Sequence, residues 1–204
     1  MNRVTAVKRV LFGLAIFSTT LLNAACGSSM KNRDIKQNPD PKMRYEITMT
    51  INDAPGPMES VAGYALYDVA NPQCAPFDKV VGIYHKPPTQ DRPIVISRVD
   101  DHTFSGLVEV DFLQDEDYFG LGVCHWKLDR VGLRLRSKVS EFVTSLTMEQ
   151  IQTQQPAVIY LSKRVYETST GDSPVGNSSL LTEVIKKHPE QYFTATLTAQ
   201  KKHL

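Results

Sequence analysis

The sequence predicts a mainly β protein: a single antiparallel β-sandwich or barrel-like domain over residues 43–204, with one or two short helices, one of them near the C-terminus. Three observations predict it. Apolar and polar residues alternate with period two in roughly eight short segments. Gly, Pro and Asp cluster between those segments as turn signals. Helical spacing is clear in one place only, residues 179–187, where Leu180, Leu181, Val184 and Ile185 share a face. The 204 residues suffice for one domain with a sizeable core.

The N-terminus comes first. Arg3, Lys8 and Arg9 precede an apolar run from Val10 to Leu22, then the small residues Ala24 and Ala25. A basic region, a short apolar stretch and a small-residue cleavage point describe an export signal over residues 1–25. The run is shorter than the roughly 20 residues a spanning helix needs. Cys26, directly after Ala24 and Ala25, resembles the cysteine of a bacterial lipobox, although Asn23 stands where an aliphatic residue is usual. That resemblance implies lipidation of Cys26 and, with Gly27-Ser28-Ser29 in place of a retention aspartate, an outer-membrane anchor facing the periplasm. Ordinary signal cleavage nearby would instead leave Cys26 as a free thiol.

Residues 26–42 read as the lipidated cysteine and a flexible tether. The stretch "GSSMKNRDIKQNPDPK" is polar and ends in prolines, and random-coil scaling gives it a reach of about 20–25 Å. "YEITMTI" (45–51) then alternates cleanly, and "DAPGP" (53–57) is a turn. "VAGYALYDV" (61–69), "PIVISRV" (93–99), "TFSGLVEVDFL" (103–113), "YFGLGVCHWKL" (118–128), "VGLRLRSKV" (131–139), "AVIYLSKRVY" (157–166) and "QYFTATLTAQ" (191–200) follow as strands. Lys186 and Lys187 end the helix favourably for its dipole and Pro189 stops it. A second, weaker helical pattern covers 145–152. Residues 167–178 form a long polar loop.

Removing residues 1–25 takes three of the 23 basic groups and no acid, leaving 20 against 22. This near-neutral balance argues against a nucleic-acid partner, which needs a dense basic field. If Cys26 is lipidated, Cys74 and Cys124 remain. In an oxidising compartment they most simply pair, closing a loop worth roughly 4 kcal/mol in the chain-entropy account. The alternatives are two buried thiols or a metal site, the latter disfavoured because no C-x-x-C spacing is present.

Catalytic chemistry finds little support. Asp111, Asp115, Glu116 and Asp117 make the strongest acidic cluster, but a calcium loop would need an oxygen ligand at Phe119 and a glutamate at Trp126. The cluster reads as a solvated hairpin tip or as an acidic docking patch at Asp115, Glu116 and Asp117 for a basic partner. No G-x-S-x-G elbow surrounds Ser105, and the five histidines form neither H-x-H nor H-E-x-x-H. His102 has Asp100 and Asp101 as neighbours, but adjacent strand residues point to opposite faces, so a turn is expected there. Gly120, Gly122, Cys124 and Trp126 fall on one face of the expected strand 118–128, leaving room for a large ring or crossing backbone. A non-enzymatic protein without a cofactor is expected.

Three stretches together carry a resemblance: "AGYALYDVANPQCAP" (62–76), "DDHTFSGLVEVDFLQDEDYFGLGVCHWKL" (100–128) and "YFTATL" (192–197). Behind a lipoprotein-type signal, they make the chain similar to exported immunity lipoproteins of type VI secretion systems, encoded beside lipase or phospholipase effectors. "NPQC" and "GVCHW" are its most specific parts. The resemblance implies a protein that captures a toxin delivered into the periplasm and neutralises it. Asp115, Glu116 and Asp117, the 167–178 loop and the 85–93 connection are the candidate contact regions. The alternative is a structural or assembly lipoprotein of an envelope or secretion machine. A third reading, an enzyme or small-ligand carrier, requires a concave pocket lined by convergent polar groups.

Overall fold

The computed structural model describes residues 34–78, 83–84, 89–168 and 182–202. Cys26, the signal and most of the 167–178 loop lie outside the described residues, as do residues 85–88. Among the described residues, no helix is long and apolar enough to cross a membrane.

The architecture is mainly β, as the alternation predicts. Strands β1 (Arg44–Asn52), β2 (Ser60–Val69), β3 (Phe77–Asp78), β4 (Ile83–Tyr84), β5 (Gln90–Ile94) and β6 (Ile96–Arg98) come first. Then follow β7 (Thr103–Glu109), β8 (Trp126–Arg136), β9 (Glu141–Thr147), helix α1 (Met148–Thr153), β10 (Ala157–Ser162), helices α2 (Lys163–Thr168) and α3 (Thr182–Lys187), and β11 (Tyr192–Lys202). One antiparallel sheet has the order β10-β11-β1-β7-β6 and a second β5-β2-β8-β9, with β3-β4 as a small ribbon.

Period-two alternation turns one face of each large sheet inward. Ile47, Met49 and Ile51 on β1 join Phe193, Ala195 and Leu197 on β11. From the second sheet come Ala65 and Tyr67 on β2, Val131, Leu133 and Leu135 on β8, and Phe142 and Leu146 on β9. These side chains form one continuous core. The outward faces of β1 and β11 carry Thr48, Thr50, Thr194, Thr196 and Thr198 among charged and polar residues, which suit a solvated pleated surface.

Chain passage between the sheets shapes the molecule. β5 pairs with β2 from Ile94 opposite Gly63, and β6 pairs with β7 from Ile96 opposite Gly106. The chain thus leaves one sheet and joins the other across Val95, closing the sandwich toward a barrel on that side. Two glycines permit the approach. A Cβ at Gly106 would stand 2.6 Å from Ile96 Cδ1 and 2.8 Å from the Val95 carbonyl oxygen, and one at Gly63 would stand 2.8 Å from the same Ile96 methyl. Gly106→Ala is therefore expected to cost about 1–3 kcal/mol, the range for overpacking. A denaturant-unfolding midpoint equal to that of the parent protein would refute this close crossing.

The strand expected over 157–166 stops at Ser162, where α2 begins, and three further expectations change. The strand expected over 118–128 begins only at Trp126, because Gly120 (φ 73°) and Gly122 (φ 107°) adopt left-handed backbone and turn the chain. Nothing lies within 4 Å of a Cβ built on either glycine, so they make no space for a ring. The 145–152 pattern divides between β9, which the sequence reading did not foresee, and α1. Thr147 caps α1 reciprocally with Gln150: its hydroxyl accepts from the Gln150 N–H, and its own N–H donates to the Gln150 side chain. The third change concerns the tether. Residues 34–42 belong to the folded body: Ile35 is buried, Gln37 bridges Leu113, and Asn38 donates to the Asp111 carbonyl at 2.8 Å.

Candidate functional site

Two regions bear on function: the loop holding the sequence-predicted acids, and a groove that the sequence did not reveal.

The loop runs from Val110 to His125 and is fastened at three points. Cys74 and Cys124 form a disulfide with Cα atoms 5.2 Å apart, both fully buried. Asn71 reaches across beside it, donating to the Val123 carbonyl and accepting from the His125 N–H, each at 2.7 Å. The segments "NPQC" and "GVCHW" are thus pinned together. Asp111 accepts from the N–H groups of Lys42 and Met43, tying the loop to the start of β1.

The acids expected to dock a basic partner are engaged within this loop. Asp115 accepts from the Trp126 N–H at 2.8 Å and pairs with His125 Nδ1 at 2.7 Å. Glu116 pairs with Lys36 Nζ at 2.7 Å, while its carbonyl accepts from the Cys124 N–H. Asp117 accepts from the N–H groups of Gly120 and Leu121. Some desolvation disfavours the Asp117 charge, but surrounding backbone N–H groups, those of Gly120 and Gly122 foremost, outweigh it and hold the carboxyl below its ordinary range. The three carboxylates act as turn caps and clasps. The signal for this was present in "DYFG", an Asp three residues before a glycine. Asp115→Ala should cost about 0.5–1.5 kcal/mol by removing an exposed hydrogen bond to the Trp126 N–H, checked by urea unfolding followed through the single tryptophan. His102 also behaves as a turn residue, since Asp100 Oδ1 accepts from its N–H and from that of Thr103.

The groove lies where β5 diverges from β7. Pairing of β7 with β6 runs from Phe104 to Gly106, whereas its pairing with β1 continues to Glu109. Beyond Gly106 the two sheets separate, leaving a cleft of about 760 Å³. Its rim is apolar and open: Val95 is 85 % exposed, Val99 63 % and Leu107 53 %. Its wall carries paired charges. Arg44 contacts Glu109, and Glu46 pairs with Lys202 at 2.6 Å while accepting from Ser105. These contacts from Lys202 and Ser105 hold the Glu46 carboxyl below its ordinary range. Tyr67 seals the floor: its buried hydroxyl donates to the Glu109 carbonyl at 2.5 Å. Burial, reinforced by the carboxylates of Glu109 and Asp111, pushes that hydroxyl's pKa far up, so it stays neutral.

Arg92 stands apart. Its Nε is buried and has no hydrogen-bond partner among the described residues, nor does its guanidinium meet a carboxylate there. No family model, curated protein or solved structure matches this chain. Among the described residues, no group of three or more His, Cys, Asp or Glu side chains is arranged to hold a metal ion. The polar groups of the cleft pair mainly with one another.

Proposed function

We propose that this protein is a periplasm-facing immunity lipoprotein, anchored through Cys26, that binds and neutralises a lipase-like type VI secretion toxin. The groove carries the protein-binding part of this reading. Exposed aliphatic side chains at a sheet edge, beside a cleft with a cation that meets no carboxylate among the described residues, favour association with another protein. The lipoprotein-type N-terminus and the resemblance of the "NPQC" and "GVCHW" segments supply the compartment and the class of partner.

A bacterial competition assay tests it. Deleting the gene should leave the producing strain sensitive to siblings with an intact secretion system, and insensitive to siblings lacking it. Restoring the wild-type gene should restore survival. Cys26→Ser should protect poorly at native expression while the folded body keeps its affinity for the toxin in solution. A deletion strain that survives unchanged beside armed siblings refutes the immunity reading. Recovery of envelope-machine components with the protein from crosslinked cells would point to an assembly role instead.

A further inference from the structure

We propose that the groove between β5 and β7 is the partner-binding surface, and that it takes an extended segment of a partner protein carrying a carboxylate flanked by apolar side chains. This rests on the protein-binding reading above. Charge selects the occupant. Of the cations lining the cleft, Arg44 is matched by Glu109, but Arg92 has no carboxylate among the described residues. Arg92 is half-buried in the cleft wall, with its Nε unpartnered among the described residues, and its guanidinium offers a carboxylate a charge-assisted contact.

Shape selects the rest. Val95, Val99 and Leu107 border the cleft, with Ile94 and Phe112 further in. Apolar residues on either side of the acid would cover these groups. The cleft follows two diverging strands, lined by residues 92–94 on one and 105–109 on the other, which suits an extended segment better than a compact ligand. Pro93 on β5 lacks an N–H, which limits ladder formation along that edge. Recognition therefore falls to side chains, with Arg92 as the selective contact and the apolar rim as the remainder.

The test uses the purified intact protein and a phage-displayed library of linear random peptides, panned on wild type with counter-selection on Val95→Asp. Val95 is 85 % exposed, so that substitution leaves the core untouched. Wild type should enrich peptides with an acidic residue among apolar ones. Synthetic copies should bind Arg92→Gln and Val95→Asp at least about tenfold more weakly, and Arg92→Lys should recover part of the loss. Failure to enrich, enrichment of peptides without an acid, or equal binding to both variants would overturn the proposal. Concentration-dependent dimerisation abolished by Val95→Asp would overturn it too, making a second copy the occupant. The competition assay separates the two readings. If Arg92→Gln and Val95→Asp protect as well as wild type, the groove falls while immunity stands. If deletion has no effect but peptides are selected as described, immunity falls while the groove stands.

Discussion

Cys74→Ser is expected to melt about 8–16 °C below the parent protein under oxidising conditions. The disulfide joins residues 50 apart in sequence, and a loop of that length is worth about 4 kcal/mol in the denatured-chain account. For a domain of this size each kcal/mol moves Tm by about 2–4 °C. Cys124→Ser should behave the same way, as should the parent after complete reduction. Both sulfurs are buried, so reduction should be slow below the melting transition and fast within it. If Cys74→Ser melts with the parent, the loop is held by the Asn71 and Glu116 hydrogen bonds, and the cross-link adds little.

The second large effect is expected at Phe193. This β11 side chain is fully buried between the two sheets. Its ring meets the Phe142 ring edge-on at 5.5 Å and that of Tyr166 edge-on at 6.0 Å. Phe142 belongs to the second sheet and Tyr166 to α2, so one side chain unites three elements. Phe193→Ala should cost about 3–5 kcal/mol through lost burial and the cavity left behind. A double-mutant cycle with Phe142→Ala should reveal coupling of about 0.5–1.5 kcal/mol from the edge-to-face contact. A loss below about 1 kcal/mol for Phe193→Ala would mean that the sheets repack without it.

The legible parts of the fold were those where one physical signal acted alone. β1 and β11 alternate without interruption, and they and β2 emerged near their expected bounds. The pairing of Cys74 with Cys124 followed from there being two cysteines left after Cys26. β9 was hidden because its inward face includes Thr144 and its outward face Val143, which blurs the apolar alternation. The stretch 118–124 misled for the opposite reason: its glycines and aliphatics mimic strand periodicity, but positive φ at Gly120 and Gly122 bends the backbone. The tether was overestimated at its end, since a single apolar residue, Ile35, suffices to dock residues 34–42 when Asp111 and Asn38 supply the polar contacts.

The groove was not readable at all. It arises from Gly63 and Gly106, distant in sequence, letting one strand change sheets. Nothing local in "QDRPIVISR" announces that the Nε of Arg92 will be buried without a partner among the described residues. The acids at 115–117 showed the converse. Their charge was conspicuous in the sequence, yet the fold uses it to cap turns and to hold Lys36 and His125.

The position of β1 has a consequence for timing. β1 lies between β7 and β11, and its pairing with β11 joins Arg44 to Lys202 across nearly the whole described chain. The first strand made is therefore among the last to gain both neighbours. Such distant pairings are slow to form, because loop-closure entropy is lost before the contacts repay it. Until β11 is made, β1 has only β7 to pair with, so the five-stranded sheet stays incomplete while the β5-β2-β8-β9 sheet and the Cys74–Cys124 disulfide can already form.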